Sequence, residues 1–150
     1  MPSIDTRFGT LEYLDEARVH FPWGIPGFED KQWFVLVDQP VSRPLVFLQS
    51  LENPDLSFMT LPVVEIAPDY RLRVLPEDLE RLELDAGRQP EPWEVLSLVI
   101  LGAAEDDTPC VNLLGPILIN RSTRKALQAI RDDAVYSARH PLVSEAAPCS

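Results

Sequence analysis

Few side chains in this sequence could do chemistry, and their spacing is poor for it. The two histidines, His20 and His140, each stand beside a phenylalanine or a proline with no second metal ligand nearby in the chain. A structural zinc site needs four ligands, so a packed or hydrogen-bonded histidine is the expected state of each. Ser122-Thr123-Arg124-Lys125 spells Ser-x-x-Lys, but the Ser-Asp-Asn and Lys-Thr-Gly companions of that motif are missing. No nucleophile elbow, dinucleotide-binding glycine pattern or phosphate-binding loop occurs. Paired carboxylates stand at Glu29-Asp30, Glu77-Asp78 and Asp106-Asp107, all in polar stretches. A carboxyl acting as a general acid needs burial to raise its pKa, and nothing in these stretches promises it. The sequence therefore predicts no catalytic residue, no metal and no cofactor, and directs attention to binding.

Charge narrows what could be bound. Thirteen Lys and Arg against 24 Asp and Glu give a net charge of −11. Direct binding to a phosphate backbone needs Lys and Arg to displace counterions, so the balance opposes nucleic acid and favours a basic protein partner. The charge is uneven. Pro76 to Glu94 holds Glu77, Asp78, Glu80, Glu83, Asp85, Glu91 and Glu94 against Arg81 and Arg88, whereas Arg121 to Arg131 holds Arg121, Arg124, Lys125 and Arg131 and no acid. Each run reads either as a solvated face or as a docking patch. The basic run lacks the interleaved aromatics of a nucleic-acid stacking platform. Cys110 and Cys149 do not form a readable disulfide framework, which suits a reducing cytosol. No charged-then-apolar leader is present, and no apolar run approaches the ~20 residues that span a bilayer. A cytoplasmic protein without membrane contact is expected.

The elements that would position a binding surface are short. Fifteen prolines divide the 150 residues into pieces that read mostly as strands. Trp33 to Val37 is an apolar run suited to a strand covered on both faces, and Val95 to Leu101 is the longest such run. Leu45 to Leu48 and Leu56 to Val64 follow the same logic, with Pro62 predicting an edge or bulge. Tyr70 to Val74 alternates, predicting a strand with Arg71 and Arg73 outward. Val111 to Leu114 and Ile117 to Ile119 are separated by a Gly115-Pro116 corner. Pro76 to Leu82 is the clearest helix, with proline at the first position and acids in the first turn, ending near Gly87. Ser122 to Arg131 has an N-cap and helical spacing of Ala126, Leu127 and Ile130. Together these predict an all-β fold, an antiparallel barrel or sandwich with one or two short helices. One domain over residues 1–142 is expected, with a disordered Ser, Ala, Glu and Pro tail at 143–150.

The segment His20-Phe21-Pro22-Trp23-Gly24-Ile25-Pro26-Gly27-Phe28-Glu29 has two proline–glycine breaks and four large apolar residues. Proline fixes φ and glycine permits positive φ, so it predicts a rigid corner with Phe21, Trp23, Ile25 and Phe28 all buried. The segment also resembles the signature near the N-terminus of the flagellar assembly factor FliW family. Phe47-Leu48-Gln49-Ser50-Leu51 with Asn53-Pro54, Pro68-Asp69-Tyr70, Leu75 to Leu79, Asn112 to Asn120 and Tyr136 to Leu142 resemble further blocks of that family, in its order. Phe21, Pro22, Trp23, Gly24, Pro26, Gly27, Phe28, Asn112, Pro116, Asn120 and His140 carry the structural signature.

The resemblance implies an antiparallel, barrel-like β fold with little helix. In the region of Ser122 to Arg131 it implies a turn leading into a strand, expected here from about Leu127 because tertiary context outweighs local propensity. It implies binding of flagellin and of the carbon storage regulator CsrA, an RNA-binding dimer that represses flagellin translation, by a protein monomeric when free. The family tends to carry acids at the two outward positions after Pro-Asp-Tyr, where this chain has Arg71 and Arg73. The partner-facing surface is expected over Asp69 to Glu80, with Asp69, Glu77 and Glu80 attractive to a basic partner and Arg71 and Arg73 altering the contact. A binding module for another protein or for RNA, or an enzyme with a pocket near Trp23 and His140, are the alternatives. The charge balance predicts that the purified chain forms no nanomolar, steeply salt-dependent complex with single-stranded RNA in a gel-shift titration; such a complex would refute it.

Overall fold

Glycine, proline and alternation place the chain in one antiparallel sheet that curls almost into a barrel. The computed structural model describes residues 2–6, 9–103, 107–131 and 139–141. The expected tail at 143–150, Cys149, Leu142 and the 136–138 part of the C-terminal block lie outside the described residues. A small hairpin, β1 (Ser3–Thr6) and β2 (Gly9–Glu12), precedes the main sheet. The sheet is built from β3 (Arg18–His20), β4 (Trp33–Val37), β5 (Val46–Ser50), β6 (Ser57–Pro62), β7 (Val95–Ala103), β8 (Pro109–Val111), β9 (Ile117–Asn120), β10 (Ala126–Gln128) and β11 (His140–Pro141). Its order is β10-β9-β7-β6-β5-β4-β3, with β8 beside the second half of β7 and β11 beside β8. The two ends of that order meet: the His20 N–H donates to the Arg124 carbonyl at 2.9 Å, and His20 bridges Lys125.

Alternation sorts the side chains into layers. Ile117 and Ile119 of β9 point into the central core with Phe21, Phe34, Leu48 and Leu98. Leu118, between them, points the other way, into a second cluster with Leu79, Leu82 and Val74. All four residues of β9 are therefore buried. The Gly115-Pro116 corner forms as expected. Asn112 Oδ1 accepts the N–H groups of Leu114 and Gly115, both at 3.0 Å, in the corner that separates β8, beside Leu101 to Ala103, from β9, beside Val95 to Leu98.

Two short helices cover the outside, α1 (Val63–Ile66) and α2 (Pro76–Arg81). The α2 helix starts at Pro76 as the sequence predicts but stops before Gly87. Glu83 takes the left-handed turn, at φ 62. Its N–H reaches the Glu80 carbonyl at 3.0 Å and the Leu84 N–H reaches Leu79 at 2.8 Å. This is a Schellman closure, and the packing of Leu84 beside Leu79 accompanies it. Pro62 sits at the last position of β6, where the chain turns into α1, and marks neither an edge strand nor a bulge. Tyr70 to Val74 keeps the expected alternation of burial but joins no ladder. Gln89 serves as its partner instead: its amide accepts from Val74 N–H at 2.8 Å and donates to Val74 C=O at 3.1 Å. Ser122 to Arg131 is a turn followed by β10, which begins one residue before Leu127.

The corner is half of what the sequence led us to expect. Phe21 and Ile25 are 0% and 2% exposed, but Trp23 and Phe28 are 46% and 38% exposed. The backbone explains the split. Gly24 has φ +70, and a Cβ there would lie 2.4 Å from the Glu29 Cα. The chain doubles back on itself so tightly that only alternate apolar residues can turn inward. Phe21 packs edge-on against Phe34 at 5.3 Å. Replacing Phe21 by alanine should cost about 3–5 kcal/mol in urea unfolding, the range for aromatic truncation in a core. Trp23→Ala should cost no more than about 1 kcal/mol, because a half-exposed ring loses chiefly a cation–π contact. Equal losses would place Trp23 in the core after all.

Candidate functional site

The rigid corner delivers Trp23 to the surface beside α2. The guanidinium carbon of Arg81 lies 5.4 Å from the centre of the Trp23 ring. Arg81 also reaches the Asp78 carboxylate at 3.4 Å. Asp78 is buried, and desolvation pushes its carboxyl above the ordinary range, with Arg81 pulling the other way. Glu77 and Glu80, three residues apart on the same helix, face solvent. The result is a half-exposed indole, an arginine stacked on it and an acidic helix in one continuous surface.

The β9–β10 turn holds this surface in place. Asn120 is buried; its Nδ2 donates to the Leu82 carbonyl at the end of α2, at 2.6 Å. Its Oδ1 accepts the N–H groups of Ser122 and Thr123 at 2.9 and 3.2 Å. Lys125 then pairs with Glu83 just past the helix. Arg124 adopts φ 64 and donates from Nη2 to the Ala17 carbonyl at 3.1 Å. Burial, with Arg121 nearby, lowers its pKa, and its Nε has no partner among the described residues.

A cleft of about 560 Å³ opens on the other side of the 70–75 segment. Val63 and Leu72 give it apolar walls, Val95 and Ser97 bring the start of β7 to it, and Arg71, Arg121 and Glu91 bring charge. One wall is the turn before β7. Arg88 grips Glu94 with two hydrogen bonds at 2.8 and 2.7 Å. That grip, helped by the Glu91 N–H, holds the Glu94 carboxyl down at about 2. Arg121 Nε donates to the Pro92 carbonyl at 2.9 Å.

The residues singled out from the sequence fall into three groups. Asp69, Arg71, Arg73, Glu77 and Glu80 are all exposed, along the stretch from the turn after α1 to α2. Arg71 lines the cleft, whereas Glu77 and Glu80 belong to the helix beside Trp23. Asn112, Pro116 and Asn120 are turn-forming and packing residues. His140 pairs through its backbone with Val111 in β11. His20 stacks on Trp33, with ring centres 4.1 Å apart, and its Nε2 lies 3.3 Å from Gln32 Oε1. Trp23 does not line the cleft. Sequence reasoning missed α1, the cleft and the meeting of Trp23 with Arg81. The last had one legible signal: a Pro-x-Gly corner too tight to bury both of its outer aromatics.

Comparison with known proteins agrees along the whole described length. The family model described as FliW protein matches residues 3–142. The chain is 37% identical over 143 residues to the flagellar assembly factor FliW of Desulfitobacterium hafniense (strain Y51), covering 94% of this chain and 90% of that protein. It is 32% identical over 142 residues to the protein of the same description from Geobacter sulfurreducens, covering 95% and 86%. A crystal structure of the flagellar assembly factor FliW superposes with a TM-score of 0.82 at 32% identity, covering 96% of this chain and 99% of that one.

The Asn120 contacts make a test of how the surface is held. Asn120→Ala should destabilise the fold by on the order of 1–3 kcal/mol for each buried group left unpaired, and it should expose the Ser122 and Thr123 amides to hydrogen exchange. Asn120→Asp keeps the acceptor oxygen and replaces the donor by an oxygen that repels the Leu82 carbonyl. It should preserve protection of those two amides while still weakening the end of α2. Identical exchange patterns in the two variants would show that the turn does not depend on Asn120.

Proposed function

This chain belongs to the FliW family, and from that premise we propose that it is a cytoplasmic flagellar assembly factor that binds flagellin and the regulator CsrA in turn. It acts by differential affinity, with no covalent step. When flagellin is scarce, the freed protein takes up CsrA and relieves repression of flagellin translation. When flagellin accumulates, it occupies the protein and repression returns. The observation that carries the reading is the surface made by Trp23, Arg81 and the exposed acids of α2. Interface hot spots are enriched in tryptophan and arginine and sit beside charge that steers the partner. An RNA-binding regulator must present Lys and Arg to its RNA, so it meets an acidic helix on a chain of net charge −11 with attraction at long range.

Arg71 and Arg73 stand on the outward side of the segment leading into α2. Against a basic partner they would repel, so the attractive part of the contact is assigned to α2, with Asp69 at the far end of the same stretch. Glu77→Lys combined with Glu80→Lys should weaken CsrA binding in calorimetry at low salt and flatten its salt dependence. Trp23→Ala should weaken it at every salt concentration. Unchanged affinity and salt dependence, in variants that melt like wild type, would put the CsrA interface elsewhere.

A further inference from the structure

Of the three tryptophans, Trp93 alone has no ring partner among the described residues. Trp33 is stacked by His20 and Arg18, and Trp23 carries Arg81. Trp93 is 73% exposed. The turn that presents it is held firmly. Glu91 N–H donates to Glu94 Oε1 and Glu94 N–H to the Glu91 carbonyl, both at 2.9 Å. Arg88 grips the same Glu94 carboxylate, and Arg121 Nε donates to the Pro92 carbonyl. Pro90 and Pro92 fix two of the φ angles in between. A large apolar side chain held out on a fixed turn has little backbone freedom left to lose on docking, which suits an interface anchor.

A hole that could take such a knob adjoins it. Pro92, the residue before Trp93, lines the cleft of about 560 Å³, and Trp93 itself does not. Pro62, Val63 and Leu72 give the cleft apolar walls. Its volume falls within the ~300–1,000 Å³ of pockets that hold small ligands, ample for an indole. Charge is present in two unmatched halves. Arg121 uses its Nε on Pro92, and its Nη atoms form no hydrogen bond or ion pair among the described residues. The Glu91 carboxylate forms none either, because Arg88, the cation that feels it, is committed to Glu94 and Asp85. Arg121 and Glu91 line one cleft without pairing with each other. A ligand of one charge would satisfy one of them and leave the other. A second copy satisfies both, and it supplies the indole as well. We propose that this face joins two copies of the chain about a two-fold axis. Trp93 of each enters the cleft of the other, and Arg121 of each meets Glu91 of the other, as in any isologous contact. Two chains of net charge −11 repel at long range, but that repulsion is screened beyond ~8 Å at physiological salt, and contacts inside an interface are screened much less. The monomer that the resemblance implies is then the dissociated form, favoured by dilution. The site is separate from the Trp23 surface and does not depend on its assignment.

Sedimentation equilibrium of the full chain, from low micromolar to near millimolar concentration in physiological salt, should show a reversible monomer–dimer equilibrium. Trp93→Ala should melt like wild type and dimerise at least about tenfold more weakly. Arg121→Glu and Glu91→Arg should each be monomeric alone, since each sets like charges against one another. Mixed together they should form a heterodimer, since mixing restores both opposite-charge pairs. Trp23→Ala should dimerise as wild type does, which keeps this outcome apart from that of the CsrA assay. A chain that stays monomeric across the whole range would overturn the proposal. So would a dimer indifferent to Trp93→Ala, or folded charge variants that fail to associate on mixing.

Discussion

Three separate parts of the molecule are tied to one six-residue turn, Asn120 to Lys125. Its Arg124 carbonyl takes the His20 N–H and so brings β3, and with it the Trp23 corner, against β10. Its Asn120 amide takes the Leu82 carbonyl and so fixes the end of α2. Its Arg121 side chain takes the Pro92 carbonyl, and its backbone takes Glu94, which fixes the turn at the cleft wall. A β-turn spends its own backbone groups on closure. This one closes with Arg124 N–H on the Asn120 carbonyl and Asn120 N–H on the Lys125 carbonyl, covers the Ser122 and Thr123 N–H groups with the Asn120 side chain, and leaves the Arg124 carbonyl and its side chains for long-range contacts. The relative placement of corner, helix and cleft follows from that arrangement.

What the sequence revealed and what it hid divide along a physical line. Strands covered on both faces, such as Trp33 to Val37 and Ile117 to Ile119, announce themselves because burial on two sides demands an unbroken apolar run. The Pro76 start of α2 is equally plain, since proline and early acids suit a helix N-terminus. Its end was misplaced because a left-handed glutamate, Glu83, does what glycine usually does, and no propensity signals that exception. The 70–75 segment reads as a strand because alternation reports which side is buried, not whether a neighbour is present. A glutamine amide from Gln89 replaces that neighbour, a contact no periodicity encodes. The Trp23 surface is a meeting of two distant segments, which one sequence alone does not record.

The acidic composition conceals a division of labour. Most acids of the 76–94 stretch are either on the outer side of α2 or engaged locally, as Glu94 is by Arg88. The bases of the 121–131 stretch are structural: Arg121 on Pro92, Arg124 on Ala17, Lys125 on Glu83, and Arg131 over the Tyr70 ring at 5.1 Å. The run that reads as a basic patch is thus largely spent on holding the fold together. Net charge alone would suggest one acidic surface. The folded chain instead offers an acidic helix beside an indole and, across the 70–75 segment, a cleft bearing two arginines.

That segment runs from the cleft to α2, and its position bears on how two ligands could compete for the chain. Two ligands displace one another either by overlap or by favouring different arrangements of a shared element. A shared element is available. Residues 70–75 join no ladder; Tyr70 to Leu72 line the cleft while Leu75 leads directly into α2. The segment is held by side chains, Gln89 on Val74 and Arg131 on the Arg71 carbonyl, which can shift without breaking a sheet. A ligand that stiffens this segment from one side changes the free energy available to a ligand on the other, and linkage requires the change to be equal in both directions. The stretch of chain between the acidic helix and the cleft, outside any ladder, is the element that ligands on either side would bias.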